Sequence, residues 1–180
     1  MVDAVAAFVA WLGASVVVLA DGRRGLALGA AISAAGMAVL VLDVAGPVAA
    51  GSIALGGVVA ATGRLRSGRA GWHVMPAGST PRLVLCIAVA LVALWIAAAL
   101  TTGPGVSLRF TAMVVIGLSG ARVLGADEAP ALFSATGLLA LAIALAAGTG
   151  QPPAAPWPFL AAAIIAGGVS WITPRIVRAA

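Results

Sequence analysis

The chain alternates between long apolar runs and short breaks of charged, proline or glycine residues. Runs occur at about 4–20, 25–42, 45–63, 83–101, 107–125, 130–148 and 157–173. Each approaches the ~20 mostly apolar residues that a helix needs to cross a bilayer, and the shorter ones suffice with little tilt. The runs are continuous, whereas barrel strands alternate polarity over roughly ten residues. The pattern predicts an all-α, polytopic transmembrane helix bundle of about seven short spans, forming a single integral membrane domain over 1–180. The 107–125 run carries Arg109 and Arg122, but both lie near its ends, where long side chains snorkel to the headgroups.

Charge then sets an orientation. Of 180 residues, 63% are hydrophobic and 8% charged, with mean hydropathy +1.18. Such a surface is matched to lipid rather than water. The pI near 11.6 would suggest nucleic acid in a soluble protein. Here the arginines are an orientation signal and no nucleic-acid partner is expected. The first run has Asp3 before it and Arg23-Arg24 after it, the reverse of a secretory signal. It reads as a retained span with the N-terminus outside. Seven spans then put Arg23, Arg24, Arg64, Arg66, Arg69, Arg82, Arg122, Arg175 and Arg178 on the cytoplasmic side and leave Arg109 opposite. The expected location is the cell membrane, multi-pass, with a cytoplasmic C-terminus. The basic loop 64–82 would face anionic headgroups, with Trp72, Val74 and Met75 dipping into the interface. Trp157 and Trp171, about 21 Å apart on a helix, fit aromatic belts. Pro152, Pro153, Pro156 and Pro158 stiffen the entry to that last span.

Small residues recur every four positions: Gly117, Ala121 and Gly125; Ser52, Gly56 and Ala60; Gly25, Gly29 and Ser33; and Ala163 with Gly167. Such stripes let helix backbones approach closely where lipid offers no hydrophobic drive for association. A shift of about 84 residues aligns Trp11 with Trp95, Gly36 with Gly120 and Asp43 with Asp127, and nearly aligns Pro47 with Pro130. DVAGP and DEAP both read as tight turns in which Asp can cap the next helix. The alignment suggests an inverted 3+3 repeat plus one helix, an architecture common in secondary transporters.

Candidate chemistry is sparse. Cys86 and His73 are single, which excludes an intramolecular disulfide, a CxxC pair and a bis-histidine haem site. No metal, cofactor or catalytic residue is expected. Gly117-Leu118-Ser119-Gly120 resembles the GxSG nucleophile motif of rhomboid proteases. That family's serine needs a histidine from a later helix, and none follows His73. Arg122 lies close to Asp127 and Glu128, which suggests a local ion pair at a helix end. The stretch LDVAGPVAAGSIALGGVVAATG resembles the Gly-rich membrane hairpin of NfeD-type proteins, partners of stomatin-like scaffolds, whose soluble β-barrel has no counterpart here.

Two functions stay open. One is a non-enzymatic structural or accessory subunit, partnered by other membrane subunits or by copies of itself. The other is a small inverted-repeat transporter or channel, which needs a polar midplane cavity lined by Ser33, Ser52, Ser119, Ser134 and Thr136. No acid lies near the middle of any span, which weighs against proton-driven transport.

Overall fold

The computed structural model describes residues 1–67, 69–76, 78–100, 105–147 and 155–172. Its helices are α1 (Val2–Leu19), α2 (Arg23–Arg66), α3 (Thr80–Trp95), α4 (Val106–Leu124), α5 (Ala129–Ala147) and α6 (Trp157–Trp171), with α3 continuing as a π-helical stretch, Ile96–Leu100. Among the described residues there is no β-strand, only an isolated antiparallel bridge between Ala20 and Val74. Five helices are long and apolar enough to cross a membrane, and α6 is shorter, at 15 residues. The chain therefore forms a membrane-compatible helical bundle. The ends expected at 101, 148 and 173, together with Pro152, Pro153, Arg175 and Arg178, lie outside the described residues.

The 44 residues of α2 would make a rod about 66 Å long if straight. They do not form one. Gly46 has φ 79° and ψ 179°, a conformation that essentially only glycine adopts. Pro47 then opens the second limb, where its fixed φ suits a first turn and its missing N–H costs nothing. A side chain at Gly57 would run into Ala34, although on a straight helix these residues would be about 35 Å apart. The chain has reversed, and α2 is a helical hairpin. The turn lies where DVAGP places it, but among the described residues Asp43 makes no capping hydrogen bond; the Gly46 conformation and Pro47 make the turn.

Glycines set the helix crossings. A Cβ at Gly13 would meet the backbone of Ser33 and Gly29, and one at Gly36 would lie 2.5 Å from Ala6 O and 2.6 Å from Ala10 N. The Ser33 hydroxyl donates to Ala10 O at 3.0 Å across this crossing. Backbones of α1 and the first limb of α2 thus touch over two turns. On the other side, a Cβ at Gly56 would lie 2.8 Å from Ala163 Cα and one at Gly63 would lie 2.6 Å from Ser170 Oγ, and Gly167 faces Val59. The second limb therefore packs on α6. The core between these layers is mostly Ala, Val and Leu, with Ile53, Met37 and Phe159 as its larger members.

The expected stripes fare unequally. Gly29 and Ser33 lie in the α1 crossing, Gly25 lies against Ala20 and the Trp72–Val74 loop, and Ser52, Gly56 and Ala60 lie on the buried side of the second limb. Of the third stripe, Gly117 meets Val89 of α3, but Gly125 faces only Ala121 O, one turn back on its own helix. Residue pairs aligned by the 84-residue shift occupy different surroundings. Gly36 touches α1 backbone, while Gly120 has nothing within 4 Å. The Trp11 indole donates to Cys86 O at 3.3 Å, whereas Trp95 is 61% exposed. α3 sits at the margin, with only Cys86 and Ala93 buried in its α-helical part.

These approaches make a selective prediction. Gly13→Ala or Gly36→Ala forces a methyl into backbone and is expected to cost about 1–3 kcal/mol. Gly120→Ala enters open space and should be neutral or stabilising by up to about 1 kcal/mol. Thermal unfolding in one detergent compares them, and equal shifts would refute the close crossings.

Candidate functional site

The polar chemistry of the bundle gathers at the end where α1 meets α2. A helix leaves its last carbonyls and first N–H groups without internal partners, and this chain has few side chains to spare for them. Residues 69–76 supply backbone instead. Met75 N–H donates to Leu19 O at 3.0 Å at the end of α1, and Asp21 N–H donates to His73 O at 3.1 Å. The first N–H groups of α2, on Arg23 and Arg24, donate to Arg69 O at 3.0 Å and Gly71 O at 3.3 Å. Gly22 makes room for this, since a Cβ there would lie 2.5 Å from Gly71 O. His73 and Met75 adopt positive φ to present these groups. The loop expected to lie on a membrane surface is a backbone cap for two helices, with Trp72, Val74 and Met75 exposed outward.

Asp21 occupies the centre of this end. Arg82, at the start of α3, donates through Nη1 to its two carboxylate oxygens at 3.1 and 3.2 Å. Arg122, from the last turn of α4, donates to Asp21 Oδ1 and, at 3.1 Å, to Ala20 O. The Arg122 side chain is 3% exposed and that of Arg82 31%. Arg122 thus neutralises a partly buried carboxylate and closes the C-terminus of α1, where the helix dipole favours a cation. Partial burial acts to raise the Asp21 pKa, but hydrogen bonds and charge from Arg122, and then Arg82, outweigh it and hold it below the ordinary 3.8.

The ion pair expected from Arg122 to Asp127 or Glu128 therefore does not form. Asp21 reaches Arg122 first because the α1–α2 turn packs directly against the end of α4. Glu128 pairs instead with Arg69 at 3.0 Å, in an exposed contact, and Asp127 has no ionic partner among the described residues.

Arg64 makes the same kind of closure at a neighbouring helix end. It is 1% exposed, and its Nη2 donates to Ser170 O at 2.5 Å and Val169 O at 3.2 Å, in the last turn of α6. Nη1 reaches Pro130 O at 3.4 Å in the first turn of α5, and the guanidinium carbon lies 5.7 Å from the Phe133 ring centroid. Arg66 instead lies over the Trp171 ring at 4.7 Å. The sequence places Arg64 among the cytoplasmic arginines, at the start of the basic loop 64–82; Gly63 and the small residues of α6 let it turn inward. Asp21, Arg64 and Arg82 are not among the site residues expected from the sequence. Asp21 had a signal: it is the one acid beside Arg23-Arg24 at the end of the first run.

The hydroxyls expected to line a cavity are spent on backbone. Ser52 donates to Val48 O at 2.7 Å, Ser119 to Val115 O at 2.5 Å, Ser134 to Pro130 O at 2.8 Å and Thr136 to Leu132 O at 2.9 Å, each within its own helix. Ser33 donates to Ala10 O, as described above. Ser134 also lines an internal void with Arg64 and Ser170, but its volume of about 10 Å³ barely reaches that of one water. Ser119 is buried and His73 exposed, with no hydrogen bond between them. Among the described residues no three His, Cys, Asp or Glu side chains converge as metal ligands do.

Acid should loosen this end. The Asp21 contribution is complete above the ordinary carboxylate pKa and is lost as pH falls through the lowered folded value. Asp21→Asn, which leaves Arg122 buried without its counter-charge, is expected to cost about 3 kcal/mol at neutral pH. It should also flatten stability below pH ~4. Denaturation followed against pH checks both, and an unchanged acid limb in the variant would remove Asp21 from this role. Comparison with family models, with curated proteins and with solved structures found no match for this chain.

Proposed function

We propose that this protein is a multi-pass integral membrane protein that acts as a structural or accessory subunit of a membrane assembly, without catalysis of its own. The two limbs of α2, added to the five other helices, make seven crossings. The N-terminus is outside, and the end carrying Arg23, Arg24, Arg64, Arg66, Arg69, Arg82 and Arg122 is cytoplasmic, following the positive-inside bias. The location is the cell membrane, and the partners are other membrane subunits or further copies of the chain.

The observation that carries this reading is the dry, tightly crossed interior. Ser33, Ser52, Ser119, Ser134 and Thr136, the hydroxyls expected to line a permeation path, each donate to a helix carbonyl, and the α1–α2 and α2–α6 crossings are at backbone contact. A carrier or channel needs polar groups free to replace a solute's hydration. The different surroundings of Gly36 and Gly120 also take support from the inverted repeat on which the carrier reading rests.

Reporter fusions test the topology. Fusions at the C-terminus and within 69–76 are expected to report from the cytoplasm, and a fusion before Val2 from outside. An external C-terminus would refute the seven-crossing count. Function is tested by affinity purification of tagged protein from native membranes after mild solubilisation. A stoichiometric membrane partner or a defined homo-oligomer is expected; a monomer that passes small solutes in proteoliposomes would overturn the accessory reading.

A further inference from the structure

At the arginine-rich end, an open pocket of about 300 Å³ lies between α1, α3 and α4, lined by Val18, Pro81, Arg82, Leu85, Ala121 and Arg122 with Gly125 at its edge. Its lining is divided. Arg82 and Arg122 bring two positive charges, of which Asp21 balances one. Val18 and Leu85 form an apolar wall, and Leu85 continues onto the exposed apolar face of α3 with Val84, Val92 and Trp95.

The guanidiniums have donors left over. Each carries five N–H groups. Arg82 spends Nη1 on Asp21, and Arg122 spends Nη2 on Asp21 and Ala20 O. Arg122 Nε is buried with no hydrogen-bond partner, on a side chain already withdrawn from water. An unpaired donor on a buried cation is costly, and a ligand oxygen that accepts from it would relieve that cost. Planar guanidinium forks match phosphate oxygens best. Among the lining residues there is no acid to receive a cationic headgroup.

We propose that this pocket binds the phosphate of an anionic membrane phospholipid, with Arg82 and Arg122 donating to its oxygens and the first acyl carbons lying along Val18 and Leu85. The surplus positive charge selects an anionic over a zwitterionic lipid, and the sideways apolar wall selects a lipid over free phosphate. The assignment rests on the bundle spanning a membrane with this end at headgroup depth.

The test uses the full chain in nanodiscs of phosphatidylcholine doped with spin-labelled phosphatidylglycerol or spin-labelled phosphatidylcholine, read as the motionally restricted fraction. Phosphatidylglycerol is expected to be retained about tenfold more strongly, the scale of one or two charge-assisted hydrogen bonds. Arg82→Gln, at the partly exposed rim, should remove most of that preference. So should Leu85→Trp, which fills the pocket without touching its charge. Arg24→Gln, at the same end but outside the pocket, should leave the preference intact. Equal retention of both lipids, or equal loss in Arg24→Gln and Arg82→Gln, would overturn the proposal in favour of diffuse surface charge. Displacement by millimolar inorganic phosphate would overturn the lipid assignment in favour of a free anion. Release of the chain from membranes by alkaline carbonate would instead defeat the membrane reading itself.

Discussion

Backbone groups at helix ends must find partners, and in a chain with so few polar side chains that requirement organises one whole end of the molecule. The last carbonyls of α1 and α6 are closed by guanidinium groups, Arg122 on Ala20 O and Arg64 on Val169 O and Ser170 O. The first N–H groups of α2 are closed by carbonyls from residues 69–71. Each partner comes from a distant part of the sequence, so satisfying a helix end also joins helices. Arginine suits this because one planar group reaches two acceptors and stays charged when buried. Arg64 closes the end of α6 and also reaches Pro130 O of α5, while Arg122 closes the end of α1 and pairs with Asp21.

Away from that end, the helices are held by proximity rather than polarity. Gly13, Gly29, Gly36, Gly56 and Gly63 remove the side chain at crossing points, so dispersion contacts are made by backbone against backbone. The same closeness leaves little space for water, and Ser33, Ser52, Ser119, Ser134 and Thr136 donate to helix carbonyls instead. Dryness and tight crossing are one property, and it underlies the accessory reading. α3 stands apart from this logic. It is joined mainly through Trp11 to Cys86 O, through Gly117 against Val89, and through Arg82 to Asp21, and it presents most of its apolar surface outward.

Much of this was legible in the sequence. The apolar runs located every helix within a few residues, because a continuous run without alternation has one satisfactory backbone solution in an apolar medium. The turn at Gly46–Pro47 was legible too, since that dipeptide pairs a residue tolerant of positive φ with one that can only begin a helix. Three of the four small-residue stripes found helix partners. The stripe that begins at Gly117 failed past that residue because spacing records a face, not what stands opposite it.

The sequence by itself determined an all-helical chain and its breaks, since these follow from local hydropathy. Only the tertiary structure decided which charges meet. Arg122 is five residues from Asp127, yet it pairs with Asp21, a hundred residues away, because the helix rotates Arg122 toward α1 while Asp127 lies beyond the helix in the turn. Arg64 turned inward for a similar reason: Gly63 and the end of α6 opened a space lined with carbonyls that water would otherwise have had to fill. Side-chain partners are chosen by the rotation and crossing of helices, and a linear pattern of apolar residues does not fix either.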